Sequence, residues 1–291
     1  MDNASNNDKA LSCHQVVLRE LEIPFDATES RLRCWGHVIH LVVISFLYGS
    51  DIEGDEDLVD LNAGHSQQEM RQWKRRGPYG RLRNIMTYIG WTPQRREEFA
   101  NMAREISPDE SAFQPIAANM TRWNGDFWAN QRALQLRDTF ELFIARHLRN
   151  GLGDDQLSIE DWTELQDIMT ILEPFDQLTL TLEGHRGNGA LYDLLPTMDT
   201  LLEHLEDAKA QYTASNPSSE HLITSINLAW SKLNKYYILT DDNIVHYAAV
   251  ALHPGMKFEY LDVNWAEHPS WIANAKAKVR ELWTIRYILI P

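Results

Sequence analysis

A mainly α protein is predicted, with a small partial α/β segment at the N-terminal end and a helical body of about 220 residues behind it. Three observations carry that expectation. Apolar residues recur at helical spacing in segment after segment from Gly80 to Ile288. Strand-like alternation is almost absent over the same stretch. Near the N-terminus, by contrast, RLRCWGHVIHLVVISFL combines a short extended start with a helical continuation.

From Asp8 to Leu21 the residues Leu11, Val16, Val17, Leu18 and Leu21 predict a first helix, behind an Asn and Ser run suited to N-capping. Pro24 closes that region, and an acidic turn around Asp26 and Glu29 leads into the strand-turn-helix pattern that begins at Arg31. Residues 50–70 are strongly acidic with little periodicity and are expected to form a linker. Helices are then predicted over Gly80–Trp91, Pro93–Ile106, Asp126–Leu148, Ser158–Leu182, Leu191–Ala214, Ser219–Leu239 and Trp271–Ile288. Gly151 and Gly153, Gly184 to Gly189, and Asn216-Pro217 supply the stops. Pro174 is expected to kink or split its helix, because it lacks a backbone donor. The expected organisation is an α/β segment at 1–49, the linker at 50–70 and a helical domain at 71–291.

Composition narrows the function classes. The chain has 291 residues, 44% hydrophobic and 24% charged, an ordinary globular balance. Lys plus Arg total 27 against 42 Asp plus Glu, and the resulting net charge of −15 repels phosphate backbones at long range. A free-standing DNA-binding module is disfavoured. The two cysteines, Cys13 and Cys34, suit a reducing compartment rather than a disulfide scaffold. The N-terminus has neither a basic n-region nor an apolar h-region, which argues against a signal peptide. The longest apolar stretch, HVIHLVVISFLYG, is too short to span a bilayer and reads as a buried helix, so no membrane partner is expected. No phosphate-cradling Gly loop, nucleophile elbow or His-Glu-x-x-His metal motif occurs.

One dense basic run stands out: Arg71, Lys74, Arg75, Arg76, Arg81 and Arg83, interleaved with Trp73 and Tyr79. Such a run can meet DNA phosphates, or lie as a solvated helix end with its stems on apolar surface. Cys13-His14 together with Cys34 and His37 invites a zinc reading, but Cys13-His14 lacks a ligand-bearing loop spacing, and buried Cys and His on a helix are commonly core.

Several strings, in order and spread over almost the whole chain, resemble those of fungal hAT-family DNA transposases. They are DNASNND, RLRCWGHVIHL, WKRRGPYGRLRNI with PQRREEF, MTRWNG, ILEPF with LTLEG, and KYYILTDDNIVHYAAVALHP followed by Lys257. The resemblance implies a ribonuclease H-like catalytic core, partial here, with a large all-α insertion domain behind it. It also implies an Asp, Asp and Glu set holding Mg²⁺ or Mn²⁺, two ions clamping the attacking and leaving oxygens. Asp2 matches the second catalytic aspartate and would be a metal ligand. The first aspartate is expected upstream of Met1 and the glutamate beyond Pro291, so the chain alone is expected to be inert in strand cleavage.

The resemblance further gives Cys34 and His37 as a Cys-x-x-His motif that contacts DNA, with His40 where the family more often has Asn. Arg122 and Trp123 match an Arg-Trp motif whose Trp stacks on a flipped base, and the polar flanks here favour an exposed Trp123. Ala118 and Gly125 depart from the family pattern, which usually has Asp and Ser there. The Leu252-His253-Pro254 string resembles another family feature and reads as structural, with Pro254 ending a helix. The implied partners are transposon-end DNA and other transposase subunits, in the nucleus. The alternative expectation is a domesticated, non-enzymatic protein-interaction scaffold, which the acidic composition suits better than DNA.

Overall fold

A computed structural model describes residues 5–49, 77–106, 123–182, 190–215 and 220–284. The chain is mainly helical. In order the helices are α1 (Ser5–Glu20), α2 (Trp35–Tyr48), α3 (Pro78–Gly90), α4 (Pro93–Ile106), α5 (Trp123–Gln135) and α6 (Arg137–His147). They continue with α7 (Ile159–Leu182), α8 (Leu194–Ser215), α9 (Glu220–Ile238), α10 (Val245–Leu252), α11 (Lys257–Asn264) and α12 (Pro269–Trp283). Among the described residues there is no strand. The extended start expected at Arg31 is therefore corrected: residues 31–34 are loop, and α2 begins at Trp35. The physical reason is local. Arg31 is buried and turns its Nε onto Asp8 Oδ1 at 2.7 Å, so the segment is tied to α1 by a side chain, and no strand runs alongside to supply ladder bonds.

Two further expectations are adjusted. The single helix expected from Asp126 to Leu148 is two, because the backbone opens at Leu136 (φ −99°, ψ 22°) between α5 and α6. Pro174 does not split α7, which runs through it. Its neighbours Ile171, Leu172 and Phe175 are each 1% exposed, and burying such side chains is worth about 1.5–3 kcal/mol apiece, enough to offset one missing backbone bond. Helices α10 and α11 were not separately expected. The linker expected at 50–70 lies outside the described residues.

The chain forms two compact units, Met1–Ile39 with Gln177–Glu203 and Ser231–Pro291, and His40–Asp176 with His204–Trp230. In the first unit Leu195, Tyr247, Val250, Leu261, Trp265 and Ala275 form a buried cluster. Asp199, on α8, lies at its polar edge and accepts three hydrogen bonds: Tyr237 OH at 2.6 Å, Tyr260 OH at 2.8 Å and Trp265 Nε1 at 3.1 Å. Helix α1 is bound more lightly, leaving Val16, Val17 and Leu21 exposed.

In the second unit the C-terminal part of α2 is core, with Val42 and Val43 fully buried. Phe99 of α4 meets Phe140 and Phe143 of α6 edge-on at 4.9 and 5.6 Å, and Trp162 of α7 extends the aromatic cluster from Phe140. Gly151 ends the α6 region as its sequence position predicts. Its φ of 116° lies where only glycine is unstrained, and a Cβ there would meet the Tyr88 ring at 3.5 Å.

Candidate functional site

In the second unit the strings around His40 and Trp123 meet, on α2 and α5, with α7 beside them. Trp123 opens α5, and the buried Asp126, Phe127 and Asn130 follow at i+3, i+4 and i+7, so the first turn presents the indole inward. Trp123 is 2% exposed and packs edge-on to Phe127 at 5.9 Å. The expected exposure of this side chain is thus corrected: the helical spacing of these buried residues outweighs the polar flanks. Its backbone N–H donates to His40 Nδ1 at 3.3 Å, which anchors the start of α5 to α2 and leaves that ring nitrogen unprotonated. Asn124 Nδ2 donates to Asp176 Oδ1 at 2.9 Å and so reaches α7. Two strings far apart in sequence, one around His40 and one around Trp123, are in this way joined by a motif backbone atom.

One turn further along α5, Asp126 is buried and accepts from Tyr48 OH at 2.9 Å. Tyr48 and Tyr79 hydroxyls lie 3.0 Å apart, and Arg83 Nη1 donates to Tyr48 OH at 3.2 Å with its guanidinium over the Tyr48 ring. Burial pushes the Asp126 carboxyl above its usual range, against the opposing pull of the Tyr48 hydrogen bond and the Arg83 charge. Burial, then the Asp126 charge, pushes Tyr48 up to about 12. Asp126 Oδ1, Trp123 Nε1 and both amide atoms of Asn130 are buried without hydrogen-bond partners. Such groups are costly, about 1–3 kcal/mol each, and make this face of α5 polar inside the core.

A second polar cluster joins α3 to α7. Arg81 donates to Gln156 O at 2.6 Å and forms an ion pair with Asp161. Glu164 is pushed up to about 7, first by burial and then by the charges of Asp161 and Asp167, with Arg81 opposing. It borders a cavity of about 20 Å³, room for one water molecule. Between α5 and α7, an open groove of about 330 Å³ is walled by Gln131, Gln135, Gln166, Thr170 and Glu173, with Phe127, Leu134 and Met169 apolar. That wall offers carboxamide, hydroxyl and carboxylate groups for hydrogen bonding.

Of the residues expected to contact DNA, Arg81 is committed inside the fold, and Trp123 is in the core. Cys34, in the loop just before α2, is exposed, and His37, in the first turn of α2, is half-buried. Asp2, Arg75, Arg76 and Arg122 lie outside the described residues. Among the described residues no group of three His, Cys, Asp or Glu side chains is placed to hold a metal ion, and no helix is long and apolar enough to cross a membrane. The Tyr48, Asp126 and Asn124 contacts were not foreseen. Signals for them existed: Asp126 and Asn130 share the inward face of Trp123 at i+3 and i+7.

Comparison with known proteins falls on this same region. Residues 32–171 match the ZBED1 RNase-like helical domain. The matched stretch contains α2 through the first half of α7, and with them His40, Tyr48, Tyr79, Arg83, Trp123 and Asp126. A candidate transcriptional regulator, tpeD, of Talaromyces stipitatus is 22% identical over 284 residues. The alignment covers 96% of this chain and 30% of that protein, so the chain spans under a third of the relative's length. No solved structure matches the chain.

Proposed function

We propose that this chain is the helical module of a hAT-type transposase lineage and works as a non-catalytic protein-interaction scaffold in the nucleus. The observation that carries the reading is the burial of Trp123 at 2% exposure, which makes it a core residue of α5 rather than a platform for a flipped base. The commitment of Arg81 to Asp161 and the net charge of −15 support the same reading. The similarity to the ZBED1 RNase-like helical domain supports the lineage, and the name of the Talaromyces relative supports a nuclear, regulatory setting.

A second reading is favoured by the ordered strings from DNASNND to KYYILTDDNIVHYAAVALHP. In it the chain is a segment of a ribonuclease H-like strand-transfer enzyme, with Asp2 as one ligand of Mg²⁺ or Mn²⁺. Cys34, His37, Arg75, Arg76 and Arg122 would then face transposon-end DNA, with further transposase subunits as partners.

The two separate on binding of the purified chain to hairpin and nicked duplex DNA at low and moderate salt, with Mg²⁺ or Mn²⁺ present. The scaffold reading expects no salt-sensitive binding. Binding that weakens steeply with salt would overturn it, because phosphate contacts release counterions.

A further inference from the structure

The short turn between α3 and α4 is built with unusual economy of residues. Thr92 caps α4, its Oγ1 accepting the Arg95 N–H at 3.3 Å, and Pro93 follows at the first helical position. That leaves Trp91 alone at the apex, 77% exposed and more exposed than any other large hydrophobic side chain among the described residues. Gly90 beside it is open, with no atom within 4 Å of where a Cβ would stand.

Two arginines are pinned beside that indole. Arg96 Nη1 donates to Gly90 O at 2.6 Å. Arg95 Nη1 donates to Tyr88 O at 3.3 Å, and its guanidinium lies 3.5 Å from the centre of the Tyr88 ring. Both bonds engage carbonyls at the C-terminal end of α3, where cations are favoured by the helix dipole. Each guanidinium keeps further N–H donors beyond the one bond described. The arginines are thus ordered before any partner arrives, which lowers the entropy cost of binding.

The local charge runs against that of the chain. At the corner Arg95 and Arg96 stand beside one exposed glutamate, Glu97, while the Glu98 carboxylate lies 3.1 Å from His147 Nε2, in a protein of net charge −15. Tryptophan, tyrosine and arginine are the side chains most enriched where protein interfaces concentrate their binding energy. A planar guanidinium fork matches a carboxylate in two parallel hydrogen bonds.

We propose that the α3–α4 corner, with Trp91 as anchor and Arg95 and Arg96 as its charged flank, docks an acidic, apolar-bearing segment of a partner protein. The inference rests on the scaffold reading and names the class of partner. The field of the whole chain and the exposed Glu97 oppose any negative partner, and they oppose a nucleic acid, charged at every phosphate, more than a segment whose carboxylates are spaced by apolar residues.

The test uses the full chain and fluorescence anisotropy with three labelled probes: a peptide of alternating Glu and Leu, the same peptide with Lys for Glu, and oligothymidylate. Trp91→Ala is expected to weaken the Glu-Leu peptide by at least about tenfold. Arg95→Lys with Arg96→Lys, which keeps the charge and removes the fork, should weaken it several-fold. Trp283→Ala, at an exposed tryptophan elsewhere, should leave it unchanged. Melting temperatures of all variants confirm that they fold. Absence of Glu-Leu binding, or equal binding by Trp91→Ala, with oligothymidylate also unbound, overturns the docking site and leaves the scaffold reading standing. Salt-sensitive oligothymidylate binding overturns both.

Discussion

Replacing Trp123 distinguishes a core residue from a recognition residue through stability alone. The indole is 2% exposed and packs against Phe127, so Trp123→Ala removes a large buried ring and leaves a cavity on the inner face of α5. Aromatic-to-alanine changes at such sites cost about 3–5 kcal/mol. Domain stabilities total only about 5–15 kcal/mol, so the loss should be plain. The backbone bond to His40 survives the change, and the helix start is therefore not the source of the effect. Trp123→Phe supplies the internal control. Because Nε1 is buried without a partner, Phe removes an unsatisfied donor along with the lost volume, and the net cost should stay below about 1.5 kcal/mol. Urea unfolding followed by far-ultraviolet circular dichroism measures both. An exposed stacking tryptophan would cost within about 0.5 kcal/mol on truncation. A Trp123→Ala value in that range would refute the burial argument and return Trp123 to the surface.

Two further predictions follow from the buried carboxylates. Asp199→Ala strands the Tyr237, Tyr260 and Trp265 donors and should cost about 3–5 kcal/mol in the same unfolding measurement; a loss under about 1 kcal/mol would show that the three bonds are replaced by water. Glu164 is held at about 7 against an ordinary 4.5, so the folded chain keeps a proton that the unfolded chain releases over that interval. Its contribution to stability therefore rises as pH falls from about 7 to 4.5, by about 1–2 kcal/mol after solvent screening. Glu164→Gln should flatten that slope in melts taken across this pH range, and an unchanged slope would locate the titration elsewhere.

The helices were legible because their apolar residues repeat at helical spacing and their ends carry recognisable chemistry. Pro93 at the start of α4 and Gly151 after α6 needed no tertiary information. The extended reading at Arg31 failed for a reason that no local pattern contains. A short extended run becomes a strand only beside another strand, and Arg31 is instead tied to a carboxylate on α1. The break at Leu136 and the continuity through Pro174 were likewise decided by packing, at Phe140 and Phe175, rather than by propensity.

Of the residues gathered at the candidate site the sequence pointed to Trp123 but not to Tyr48 or Asp126, and it misjudged the exposure of the indole. Trp123 was singled out by its neighbours Arg122 and Asn124, both polar, and polar neighbours argue for exposure only in a loop. On a helix the residues that share a face are three and four positions away. Asp126 and Phe127 are those residues for Trp123, and both are buried. Trp91 shows the converse. Its neighbours Ile89 and Gly90 read as the end of an apolar helix, yet the turn at Thr92-Pro93 carries the indole past the last residue of that face and into solvent. A tryptophan inside a helix therefore takes its environment from the helix period, and one at a corner takes it from the turn. That rule, applied to these two positions, moves the candidate recognition surface of this chain from the start of α5 to the α3–α4 corner.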